Sequence, residues 1–150
     1  MLKRNQRILI AVSVFVVAVL LFTGLDFLVN STLYWYNLQY SGDWYWPYTV
    51  MYSALYQVVI VCLGLYSRSW RFVVLAEAFC LSGTQDLVYF GLWSGGVFPT
   101  GSWEWLVTVQ FLGFSEWTTL MQFISSGIAL SIGALVAFAL PKKVREIKAP

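Results

Sequence analysis

Residue types that usually build active sites are absent or scarce in this sequence. It has no histidine, only two cysteines, and seven acidic against nine basic residues in 150. Histidine is the commonest zinc ligand and general base, so its absence argues against most classes of metalloenzyme. Cys62 and Cys80 lack CxxC spacing, and two cysteines cannot form a disulfide framework. We therefore predict no metal and no cofactor.

Motifs for catalysis and for nucleic-acid binding are also missing. The sequence contains no phosphate-binding glycine loop, no nucleophile elbow and no basic groove. It assigns no catalytic residue, so a non-enzyme is favoured, and nucleic acid is excluded as a partner.

Apolar residues, in contrast, are abundant. They make up 59% of the chain and charged residues 11%, whereas soluble domains have roughly 45 to 50% and about 25%. A soluble protein of this size cannot bury so much apolar surface. The composition predicts an integral membrane protein with one domain over residues 1–150.

Four apolar segments are long enough to cross a bilayer as helices, because a hydrocarbon core of about 30 Å needs about 20 residues. The first is longer than the apolar core of a secretory signal and no small-residue cleavage site follows it, so we expect it to be retained. Pro141 ends the last. The prediction is an all-α four-transmembrane-helix bundle with spans at residues 8–29, 49–66, 72–93 and 117–140.

The basic residues all fall on one side of these spans. The segments 30–48 and 94–116 contain none of them, so the positive-inside rule places both loops outside and both termini in the cytoplasm of a multi-pass cell-membrane protein. The nine residues are Lys3, Arg4, Arg7, Arg68, Arg71, Lys142, Lys143, Arg145 and Lys148.

Tryptophan is concentrated at the predicted outer side. An interfacial aromatic belt would explain this, but belts usually mark both interfaces, so we expect the outer loops to fold into an aromatic cap over the bundle. Trp44, Trp46, Trp103 and Trp105 are then candidate ligand contacts. Seven of the eight tryptophans belong to this set: Trp35, Trp44, Trp46, Trp93, Trp103, Trp105 and Trp117.

Acidic residues inside or beside the spans are candidate binding residues, since a carboxylate in hydrocarbon costs at least about 2.5 to 3.5 kcal/mol. Asp26 lies near the outer end of span one, and Asp86 lies in the outer half of span three, where the chain offers no basic partner. Glu116 is expected in the first turn of span four, with Ser115 as its N-cap. For each of the three carboxylates, a purely structural role is the alternative to ligand binding.

Glu77 lies in the inner half of span three. In a straight helix its nine-residue offset places it opposite Asp86, so the two cannot share a site. We expect it to extend toward Arg68 or Arg71 across the short turn.

Small residues recur every four positions in span four, at Ser125, Ala129, Gly133 and Ala137. Such a stripe allows close helix packing in membranes. It predicts a seam, either within the bundle or between subunits.

Three functions are compatible with these patterns. The favoured one is a non-catalytic assembly protein, a subunit of a larger membrane complex or a homo-oligomer. The second is an outer-leaflet pocket for a lipid-like or cationic small molecule at Asp26 and Asp86, with Asp86 or Glu116 as acid–base if the ligand is modified. The third is an oligomeric channel or exporter.

Overall fold

All regular structure in the described part of the chain is helical. The computed structural model describes residues 3–35, 42–101, 113 and 116–139; the side chains at 30, 32–35, 42–49 and 139 fall outside that description. Within these residues three helices are long and apolar enough to cross a membrane, or four if a bent pair of helices forms one span. The predicted all-helical membrane architecture is confirmed at this level.

The first two helices extend further than predicted. Helix α1 covers Arg4–Trp35 and α2 covers Gly42–Ser67. No glycine or proline follows Gly24 within α1 to stop the helix, and Ser31 donates its hydroxyl to the Leu28 carbonyl at 3.0 Å. The prediction of an outer loop over 30–48 is therefore wrong in extent, because both of its ends are helical.

A turn of two residues joins α2 to the next helix, α3, which covers Trp70–Leu81. Arg68 adopts a left-handed conformation with φ of 51°, which ends α2. The Ser69 hydroxyl then caps α3 by accepting the Phe72 N–H at 3.4 Å. Because the link is so short, α2 and α3 are neighbours, and they pack against each other. A Cβ added to Gly64 would lie only 2.5 Å from a methyl of Val73.

The third span is broken rather than continuous over 72–93. Helix α3 stops at Leu81, and α4 covers Thr84–Val88 and continues into a π-helical turn, Tyr89–Trp93, at an angle of 68° to α3. Gly83, with φ of 69°, has the left-handed conformation that ends a helix without steric strain. The expectation that Glu77 and Asp86 lie on opposite faces of one straight helix is therefore wrong.

The last helix, α5, covers Thr119–Ala139. Thr118 caps it, since its hydroxyl oxygen accepts the Met121 N–H at 3.3 Å. Glu116 precedes this cap and is exposed. The predicted first-turn position of Glu116, with Ser115 as the cap, is therefore wrong.

The core lies where α1, α2 and α3 meet. Its members recur four positions apart along each helix, so each helix presents one face to the others. The Phe15 ring contacts Phe72 and Phe79 edge-on, with both centroid distances 5.8 Å. Helix α5 packs along the other side of α3. The buried cluster comprises Ala11, Phe15, Val19, Tyr56, Ile60, Phe72 and Ala76.

Candidate functional site

The break in the third span is closed by side chains of α5. The Ser82 carbonyl, which no longer accepts a bond within a continuing helix, accepts the Gln122 amide at 2.7 Å and the Ser126 hydroxyl at 3.3 Å. Gln122 and Ser126 are almost fully buried, with 1% and 3% of their surfaces exposed. In lipid a freed backbone carbonyl needs such a partner, because no water is at hand. These two hydrogen bonds from α5 therefore stabilise the bend between α3 and α4.

The hydrogen-bond network continues on both sides of Gln122. The indole N–H of Trp117 donates to the Gln122 side-chain oxygen at 2.9 Å, and the hydroxyls of Ser82 and Thr84 lie 2.6 Å apart. Gln122 thus acts as donor and acceptor at once. The network fixes the start of α5 against the break.

The far end of the broken span is fixed to α1. The Trp93 indole donates to the Thr23 hydroxyl at 3.0 Å, and that hydroxyl donates to the Val19 carbonyl at 2.8 Å. The Trp93 ring lies over Gly24, where an added Cβ would be 2.9 Å from it. Both ends of the segment formed by α4 and the π-helical turn are therefore held by side chains distant in sequence.

Two of the predicted outer carboxylates lie on helices that pack against each other. Asp26 on α1 and Asp86 on α4 are both half-buried. Glu116 is exposed ahead of α5. That Asp26, Asp86 and Glu116 bind a ligand stays a prediction.

The predicted tryptophan contacts lie outside what the structure describes. Trp103 and Trp105 fall in the undescribed segment, and only the backbone of Trp44 and Trp46, within α2, is described. The aromatic cap stays a prediction for the same reason. Among the described residues no group of three or more histidine, cysteine, aspartate or glutamate side chains could hold a metal ion.

Glu77 contacts α2 instead of the basic turn. Its carboxylate accepts the Gln57 amide at 3.0 Å, on the exposed surface of the protein. Arg71 lies elsewhere, with its guanidinium 5.4 Å from the centre of the Phe138 ring on α5. Among the described residues Glu77 therefore pairs with Gln57, and its predicted extension toward an arginine is wrong.

A groove runs along the seam of α3 and α5 on the side of Glu77, with a volume of about 550 Å³. Gly133 and Ala137 are buried, and an added Cβ on Gly133 would lie 2.7 Å from that of Ala78. Ser125 and Ala129 are half-buried and line the groove. Two residues of the small-residue stripe, Gly133 and Ala137, thus pack within the chain, and the other two, Ser125 and Ala129, face the groove.

A second groove, also of about 550 Å³, lies on the other side of the α3 and α5 pair. Residues of α1 and α5 form its walls and α3 forms its floor. Its lining is apolar apart from Ser69 and Arg71 at one end. The two grooves therefore differ in charge, one containing a carboxylate and the other a guanidinium.

Gln122, Thr23 and Gln57 belong to no sequence motif, and their contacts were not predicted. All three are uncharged polar residues inside apolar segments, which in membrane helices commonly form interhelical hydrogen bonds. A polar residue in an apolar segment therefore predicts an interhelical hydrogen bond. It does not predict the partner residue, which in these three cases lies 20 to 70 positions away.

These features define the class of the protein. The described residues form an α-helical membrane protein with one discontinuous, hydrogen-bonded helix. No protein-family model, curated protein or solved structure matches the chain.

Proposed function

We propose that the protein is a non-catalytic subunit of a larger membrane complex and that it binds a transmembrane helix of a different subunit. The contact face is the one formed by α2, α3 and α5, with Gln57 and Glu77 at its centre. The observation that carries the proposal is the hydrogen-bonded Gln57–Glu77 pair on the exposed surface.

The depth of this pair is the first argument. At a rise of about 1.5 Å per residue, Glu77 lies about 10 Å from the start of α3 at Trp70, and Gln57 about 15 Å from the end of α2 at Ser67. Both are thus well inside a hydrocarbon core of about 30 Å. A carboxylate exposed to lipid at this depth is unfavourable. A partner that covers it removes the unfavourable contact.

The charge on this face indicates the chemistry of the partner. Glu77 and the amide oxygen of Gln57 accept hydrogen bonds, so a helix with a lysine or arginine side chain at this depth would complement them with a charge-assisted contact. A second copy of this chain has no lysine or arginine there, because all nine lie at residues 3–7 at the start of α1, at residues 68 and 71 around the α2–α3 turn, or after α5. A foreign helix therefore fits better than self-association.

The shape of the groove gives the second argument. Ser125 and Ala129 present small side chains along α5, and Ala78 lies on the facing side of α3. Small residues allow helix backbones to approach closely, which is how helices associate where lipid is as apolar as leucine. The face thus provides a groove in which a helix can pack closely, with the carboxylate of Glu77 as its polar contact.

The proposal includes the topology predicted from the charges. Four spans form the bundle, with the bent pair as the third, and both termini and the Arg68–Arg71 turn lie in the cytoplasm of a multi-pass cell-membrane protein. The partner helix then contacts Glu77 in the inner half of the bilayer.

The test uses the tagged full-length chain, extracted from its native membrane in mild detergent. Ser125→Leu fills the groove, whereas Ser131→Leu is its matched control. Both hydroxyls bond to a carbonyl of their own helix, at 3.1 and 2.7 Å, but Ser131 is exposed and does not line the groove. The expected result is one identified partner that is lost with Ser125→Leu and Glu77→Leu and retained with Ser131→Leu.

A photo-crosslinking residue at Ala129 should join this partner through one of its transmembrane helices. Equal retention by the Ser125 and Ser131 variants would contradict the proposal. A symmetric ring of this chain alone would support the channel or exporter, and a bound small molecule without protein partner would support the outer-leaflet pocket.

A further inference from the structure

We propose that the second groove binds one acyl chain of an anionic phospholipid, with the lipid phosphate at Arg71. The lipid comes from the leaflet on the side of the α2–α3 turn. This site is independent of the partner helix, because it lies on the other side of the α3 and α5 pair.

The lining of the groove fits a hydrocarbon chain. Along α1 it includes Ile8, Val12, Val16 and Leu20, which recur four positions apart and so form a continuous apolar wall. Phe72 and Leu75 of α3 form part of the floor. An aliphatic chain laid along this surface meets apolar side chains over its length.

The length of the groove matches one leaflet. From Ile8 to Leu20 the wall extends about 18 Å, at about 1.5 Å per residue, against about 15 Å for half of the hydrocarbon core. Val88 of α4 contributes to the lining at the outer end, where the chain turns by 68°. The broken span thus limits the groove at about the middle of the bilayer.

The charge at the inner end selects the headgroup. Arg71 is the charged residue of the lining, and its guanidinium lies beside the Phe138 ring at the wall. Arg7 precedes the first wall residue in α1 and is not part of the lining, so Arg71 is the basic contact that the groove provides. Guanidinium groups bind phosphate in a bidentate manner, and basic pockets between membrane helices bind anionic headgroups.

The opposite groove provides an internal comparison. It has a similar volume but contains Glu77, which would repel a phosphate, together with polar groups at its outer end such as Gln122. The two sides of the α3 and α5 pair therefore select ligands of opposite charge.

The experiment measures lipid retained by the full-length chain after exchange into detergent that contains equal amounts of phosphatidylglycerol and phosphatidylcholine. Native mass spectrometry counts bound lipid of each kind. We expect the unmodified protein to retain phosphatidylglycerol about fivefold over phosphatidylcholine, as one basic contact would give. Arg71→Gln should abolish this preference, whereas Arg68→Gln, in the turn and outside the groove, should keep it.

A second pair of variants tests the acyl site. Val16→Trp places a large ring in the groove, and Val17→Trp places the same ring on a neighbouring face; the two valines are 50% and 52% exposed. Val16→Trp should lose retained lipid of both kinds and Val17→Trp should not. Helix content by circular dichroism confirms that each variant is folded.

Three results would overturn the proposal. They are equal retention of both lipids by the unmodified protein, unchanged retention by Val16→Trp, and a photo-crosslink from position 16 to protein instead of lipid. The last would mean that a protein helix covers the groove.

Discussion

The side-chain amide of Gln122 lies 2.7 Å from the carbonyl oxygen of Ser82, 40 positions earlier in the chain. This contact joins the middle of the broken span to α5 and provides a donor for a backbone carbonyl that the break releases. It also explains why a glutamine is buried to 1% exposure in an apolar helix.

Gln122→Leu should therefore destabilise the protein. The Ser82 carbonyl would keep only the longer bond from Ser126, and loss of a buried hydrogen-bond partner costs about 1–3 kcal/mol. Thermal unfolding in detergent, followed by circular dichroism, measures the change. Ser131→Ala, at an exposed site of the same helix, should change stability by less than about 0.5 kcal/mol. Equal stability of the Gln122 variant and the unmodified protein would contradict the role of this contact.

Gly133→Ala should weaken the packing of α5 on α3. The new methyl would lie 2.7 Å from the Ala78 Cβ, which is closer than carbon atoms approach without displacement. Gly127→Ala is the matched control, because nothing lies within 4 Å of a Cβ added there, and alanine favours the helix. The double variant Ala78→Gly with Gly133→Ala should recover most of the lost stability. Failure of this rescue would argue against a direct clash.

Trp93 and Thr23 should be energetically coupled. Trp93→Phe removes the donor and Thr23→Val the acceptor of a hydrogen bond of 3.0 Å that joins the π-helical turn to α1. A double-mutant cycle on unfolding free energies should give a coupling of about 1 kcal/mol. A coupling close to zero would show that the indole contributes through its packing on Gly24 alone.

Cysteine labelling should place Val97 and Arg68 on opposite sides of the membrane. In a background with Cys62 and Cys80 replaced by alanine, Val97→Cys, at a site 71% exposed, should react in intact cells with a reagent that cannot cross the membrane. Arg68→Cys should react only after permeabilisation. Labelling of both sites from the same side would mean that α3 and α4 form a re-entrant loop instead of a span.

The presence of several apolar helices long enough to cross a membrane could be read from the sequence alone. A run of apolar residues suits lipid whatever its neighbours in space are, so composition and length fix where the spans lie. The errors at the helix ends, such as the start of α5 at Thr119 instead of residue 117, reflect local capping by Thr118. The orientation from the basic residues stays a prediction.

The candidate sites depended on the tertiary structure. Gly83 permits a break in the third span, but glycine also occurs at position 24 of α1, where the helix continues. What distinguishes the two positions is the environment: donors from α5 meet the Ser82 carbonyl, while a Trp93 ring packs on Gly24. Likewise, only the packing of α2 on α3 brings Gln57 to Glu77. Such pairings depend on which helices are neighbours, and a periodic apolar pattern does not encode that choice because every lipid-facing side is equally apolar.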